Sequence, residues 1–146
     1  MFVRRALALV LTVAWLWPAS LHAQSEALME AFQQGKALKE AGRYEQAIPF
    51  YREALGLGEQ EFGPEHPTTA TLLNNLAELY RAQGRYGAAE PLYKRALAVL
   101  EKALGPDHPD VATSLENYAA LLRKPSRADE AVKLKARAEA IRAKYE

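Results

Sequence analysis

Two short stretches carry residue types that could do chemistry. GPEHP covers positions 63–67, and GPDHP covers positions 105–109, 42 positions later. Each sets a histidine, His66 or His108, next to a carboxylate, Glu65 or Asp107. Two imidazoles and two carboxylates are a donor set that suits a metal. The alternative is architectural: the pentapeptide is a joint used once per repeating unit. The chain has no cysteine, and its third histidine, His22, lies in the N-terminal leader. No H-E-x-x-H, glycine-rich phosphate loop or G-x-S-x-G occurs. Glu78 and Glu116 read as surface charges rather than a dry, paired acid–base site. An enzyme is therefore not expected, and no cofactor or metal is assigned.

The surroundings of the pentapeptides favour the joint. Slid by 42, GRY at 42–44 meets GRY at 84–86. Ala47, Pro49, Tyr51, Ala54 and Leu55 meet Ala89, Pro91, Tyr93, Ala96 and Leu97. A third copy starts at Ala112, where ATSLENYAALL aligns with ATLLNNLAELY from Ala70. Three copies at about 28–69, 70–111 and 112–146 fill residues 24–146, after a leader at 1–23.

Each copy reads as two helices. Leu73, Leu76, Ala77 and Tyr80 recur at helical spacing, as do Ala89, Leu92, Tyr93, Ala96, Leu97, Leu100 and Leu104. Gly84 stands at a helix C-terminus and Gly105-Pro106 stops the next helix. Pro67 and Pro109 suit a first helical position, and Glu65 and Asp107 suit the positive end of the helix dipole. The expected fold is all-α, a short right-handed solenoid of about three helix-turn-helix repeats, since neither helix of a pair buries its stripe alone. Successive joints then lie about 10 Å apart. Ligands of one metal must converge to within about 4 Å of one another.

These residues resemble the tetratricopeptide repeat. Leu73, Leu76-Ala77 and Tyr80 match its first-helix signature, and Ala89, Tyr93 and Ala96 its second. In the first copy the matching residues are Ala31, Gln34-Gly35 and Leu38, then Ala47, Tyr51 and Ala54, with Gln34 in place of the usual leucine. The 42-residue period, NNLAELYRAQGRY and the GP[ED]HP joint look like the longer repeats of kinesin light chain type, which also occur in bacterial proteins. The resemblance implies a non-catalytic module that binds a peptide or partner protein in the concave groove.

The first helices line that groove. Asn74, Glu78 and Arg81 form a polar row one step round from the buried stripe. Their counterparts are Phe32, Lys36 and Lys39 in the first copy, and Glu116, Ala120 and Arg123 in the third. Asn75 and Asn117 sit at the row's edge. The expected peptide-binding residues are Phe32, Lys36, Asn74, Asn75, Glu78, Arg81 and Asn117. Some relatives clamp a C-terminal carboxylate with basic groove residues. Phe32, Thr113 and Asn117 occupy three of those places, so that clamp is not expected here.

The third copy departs from the pattern. Lys135 and Glu139 replace the apolar residues of the other copies, and Pro125 makes the turn where a glycine stood. Residues 127–145 are expected to form a terminal cap, with Ala131, Leu134, Ala138, Ile141 and Tyr145 inward. Lys133, Lys135, Arg137, Arg142 and Lys144 then cover the rest as a basic face.

The leader has Arg4 and Arg5, an uncharged run from Ala6 to Trp17, then Pro18 and a small residue, Ala23. That is the layout of a cleavable export signal cut after Ala23. A periplasmic or secreted location is expected, with membrane attachment only through an uncut signal. Cutting leaves 17 basic against 18 acidic side chains. That balance offers no footprint for nucleic acid. The alternative function is a small envelope subunit that self-associates, as a homo-oligomer, through the ends of the array.

Overall fold

A computed structural model describes the backbone of residues 16–122 and 125–146, and the side chains of 25–122 and 126–146. Six helices run in pairs: α1 (Leu16–Glu40) with α2 (Tyr44–Phe62), α3 (Pro67–Ala82) with α4 (Tyr86–Leu104), and α5 (Pro109–Leu121) with α6 (Ala128–Arg142). Each pair packs as a hairpin, each second helix packs on the next first helix, and α3 also touches α5. The described residues are therefore an all-α repeat array. The apolar run at 6–15 lies outside the described residues. Among the described residues, no helix is long and apolar enough to cross a membrane.

Both hairpin turns before the last copy work as read. Gly42 and Gly84 each take φ +73°, a left-handed value that a side chain would oppose. The joints answer the question of the paired histidines. Pro67 and Pro109 each open a helix. His66 Nδ1 accepts the Thr68 N–H at 3.1 Å, and His108 Nδ1 accepts the Asp110 N–H at 3.1 Å. Each imidazole is thus a helix N-cap, satisfying a backbone donor that the helix itself cannot. The acid beside each histidine reaches forward along the array: Glu65 takes Lys102 at 2.6 Å and Asp107 takes Lys144 at 2.5 Å.

Tyr51 and Tyr93, the bulky residues of two second helices, are 2% and 1% exposed. Gly35 explains the close pairing of α1 and α2: a Cβ there would come within 2.8 Å of the Tyr51 ring. Gln34 departs from the leucine pattern at an exposed position. Leu72 and Leu76, both 3% exposed, face the preceding copy, whereas Glu30 and Gln34 at the matching positions are exposed and bond each other at 3.0 Å.

The last helix needs two corrections. Ala138 and Ile141 are buried, with Ala131 and Leu134 partly so. Tyr145 is 63% exposed, because α6 ends at Arg142 and the chain turns away. The basic face is also largely neutralised. Arg137 binds Glu101 at 2.5 Å, Arg142 binds Glu116 at 2.8 Å and Lys144 binds Asp107.

Candidate interaction groove

The side-by-side placement of α3 and α5 opens a cleft of about 280 Å³. Thr71, Asn74 and Asn75 come from α3, Asp110, Thr113 and Asn117 from α5, and Leu100 of α4 lies at the floor. On each helix the three residues follow spacings that place them on one face. Thr71 and Thr113 donate their hydroxyls to the carbonyls of Pro67 and Pro109, at 3.2 and 3.4 Å. Asn74 Nδ2 donates to Ser114 Oγ at 3.4 Å, bridging the two walls. The side-chain amides of Asn75 and Asn117 make no bond to the protein among the described residues.

The structure therefore brings together Asn74, Asn75 and Asn117, three of the seven expected residues. Glu78 lies further along α3 and is held by Lys39 of α1 at 2.5 Å. Arg81 is half-buried near the Tyr93 hydroxyl, and its Nε is buried without a partner. Burial raises the Tyr93 phenol above its ordinary value, and the Arg81 cation opposes that rise. Phe32 and Lys36 are not in the cleft. Phe32 packs edge-on against Tyr51, with ring centroids 5.6 Å apart. Lys36 is exposed and faces Glu40 at 3.8 Å. Arg123, the third-copy end of the row, lies outside the described residues.

Sequence reading missed Thr71 and Asp110 as wall residues and Leu100 as the floor. The signal for one pair was present: Thr71 and Thr113 are counterparts 42 positions apart. Asp110 supplies the carboxylate at the joint end, with Oδ2 3.7 Å from His108 Nδ1. Glu116, beside the cleft, is gripped at both oxygens by Arg142, at 2.8 Å each, which holds its carboxyl below the usual range. The cleft is therefore lined by amides and hydroxyls with one exposed carboxylate, Asp110, while Glu78 and Glu116 beside it are already paired. Amide and hydroxyl side chains can both donate and accept hydrogen bonds.

The paired helices, the near-contact of Gly35 with Tyr51 and the groove between first helices are features of one repeat type. A model of the tetratricopeptide repeat matches residues 24–102 and again 70–144. The chain belongs to the tetratricopeptide repeat family. Among curated proteins none matches it in sequence. Several solved structures share the fold. One is BtubC (BKLC) from P. vanneervenii, at 25% identity and TM-score 0.74, covering 81% of this chain and 47% of that one. Another is a putative kinesin light chain with nearly identical TPR-like repeats from Podosopora anserina, at 24% identity and TM-score 0.71. There the match covers 82% of this chain and 56% of that one. The TPR domain of Arabidopsis FLU matches at 18% identity and TM-score 0.71, over 84% of this chain and 99% of that one. This chain thus spans about half the length of the first two. Tetratricopeptide repeats in general mediate protein–protein interaction, and this array is of that kind.

Proposed function

We propose that this tetratricopeptide protein binds an extended segment of a partner protein in the cleft between α3 and α5. The observation that carries the reading is the pair of unengaged amides, Asn75 and Asn117, on opposite walls. An amide offers a donor and an acceptor together. Two of them facing across a cleft suit the alternating N–H and C=O of a peptide backbone. The threonines and Leu100 suit small or apolar side chains of the segment. Phe32 and Lys36 belong to the hairpin rather than to this contact.

Self-association through the ends is the weaker reading. At the outer face of the first copy, Glu30 and Gln34 stand where the second copy has Leu72 and Leu76. At the outer face of the last, exposed Lys135 and Glu139 stand where Tyr93 and Leu97 pack. Among the described residues the large apolar side chains exposed near the ends are Met29, Val132 and Tyr145, less than the broad apolar face that an obligate subunit contact buries.

We also propose that the module works outside the cytoplasm, released by a cut after Ala23. The register supports that position. Ser25 lies 42 residues before Pro67, so the cut falls just ahead of the first residue that the repeat needs. Ser25 Oγ already donates to Glu61 of α2.

The test is capture of partners from the native cell envelope by the wild type and by the double variant Asn75→Ala/Asn117→Ala, with folding followed by circular dichroism. The reading predicts a partner lost by the folded double variant. Equal capture by both proteins would remove the cleft from consideration.

A further inference from the structure

Threefold repetition lets each side chain be compared with its own counterpart 42 positions away. Arg127, just before α6, is held by Glu90 at 2.8 and 2.9 Å and by Glu130 at 2.8 Å. Lys94 pairs with the same Glu90 at 2.9 Å. One repeat earlier the two cations are kept, as Arg85 and Arg52, but the two carboxylates are replaced by Ile48 and Ala88. Arg85 lies over the Tyr80 ring, 4.7 Å from its centroid. Neither Arg85 nor Arg52 meets a carboxylate among the described residues.

An open crevice of about 370 Å³ has Arg52 in its lining, together with the Tyr80 ring that Arg85 covers, and lies between α2 and α4 with α3 behind them, away from α5. Leu55, Gly56, Leu76, Tyr80, Ala88 and Leu92 form it, and Arg52 and Glu59 stand at its rim. Glu59 is neutralised by Arg95 at 2.6 Å, so the uncompensated rim charge is positive. In the next copy Tyr118 and Leu122 replace Leu76 and Tyr80, so the ring and the leucine merely exchange places. What the first crevice lacks is the Glu130 side chain, replaced by Ala88, and one methyl, since Gly56 replaces Ala98. Gly56 is not forced by packing, because a Cβ there would meet nothing within 4 Å. A glycine in a helix interior costs about 0.5–1 kcal/mol relative to alanine. Here that cost keeps one wall of the crevice open.

We propose that this crevice is a second docking site, for a partner-protein segment that carries an Asp or Glu carboxylate next to an apolar side chain. The carboxylate pairs with Arg52 and Arg85, taking the place that Glu90 and Glu130 fill one repeat later. The apolar side chain lies over Gly56, against Leu55 and Leu92. The site is separate from the α3–α5 cleft and stands or falls independently of it.

The test is an NMR titration of the full chain with the tripeptide Ac-Glu-Phe-Glu-NH2, with Ac-Lys-Phe-Lys-NH2 as the control of opposite charge. Backbone shifts should centre on Arg52, Gly56, Tyr80 and Leu92 for the acidic peptide only. Arg52→Glu or Arg85→Glu should weaken binding about tenfold or more, since each removes a charge-assisted contact. Gly56→Leu should fill the crevice and abolish binding while leaving the chain folded. Equal binding of both peptides, shifts confined to Asn75 and Asn117, or insensitivity to these variants would overturn the proposal. Self-association of the chain that disappears in Arg52→Glu would also overturn it, by giving the crevice to a second copy.

Discussion

Arg127 grips Glu90 at both carboxylate oxygens, joining the turn before α6 to the first part of α4. Tyr118 of α5 donates its hydroxyl to the same carboxylate at 3.0 Å. One network thus ties three helices where the third hairpin lacks the glycine turn of the other two. Arg127 first, and Lys94 next, hold the Glu90 carboxyl at about 2. The unfolded chain binds that proton more readily, at the ordinary glutamate value of about 4.3. The stabilisation is therefore complete above about pH 5 and is lost progressively as pH falls through about 4 toward 2. Urea midpoints measured down this range should fall more steeply for the wild type than for Glu90→Gln. Parallel acid limbs would contradict the assignment.

Gly35→Ala should destabilise the array. A methyl there would lie 2.8 Å from the Tyr51 ring and 3.3 Å from the Phe50 Cβ. Overpacking of this kind costs about 1–3 kcal/mol. It outweighs the gain of up to about 1 kcal/mol in helix propensity. Chemical denaturation reads the difference, and a variant as stable as the wild type would show that the hairpin relaxes freely.

The two histidines should behave as caps. His66→Ala and His108→Ala should each lose about 1 kcal/mol, while Asn substitutions should retain most of the stability. The caps serve different helices, so the losses should add. A chelator should not move the midpoint of the wild type. A chelator-sensitive midpoint would restore the metal reading.

Core and surface should differ in scale. Tyr93→Ala removes a fully buried ring stacked on Tyr118 and should cost about 3–5 kcal/mol. Arg95→Ala and Arg137→Ala break the repeated pairs to Glu59 and Glu101. These side chains are partly exposed, so each loss should stay below about 1 kcal/mol and shrink in salt.

The fold was legible because the repeat restates each constraint. Two glycine turns, two proline starts and two tyrosine stripes left little choice of architecture. The groove was legible only in part. Periodicity places Asn74, Asn75 and Asn117 on the helix faces that line the cleft, but it carries no information about which polar neighbours already pair. Glu78 with Lys39, and Glu116 with Arg142, are contacts between residues 39 and 26 positions apart. Phe32 illustrates the same gap. Its position is that of a groove residue, but Gly35 brings Tyr51 close enough to take the ring inward. Tyr145 continued the stripe in sequence, yet the helix stops before it.

The central claim is that Asn75 touches the partner. The most direct measurement replaces Asn75 by photoreactive benzoylphenylalanine and illuminates the protein in its native cells. A parallel chain carries the label at Lys133, an exposed position on α6. The account predicts a crosslinked partner peptide from position 75 and none from 133. Crosslinks from 133 alone, or the same adducts from both, would contradict it.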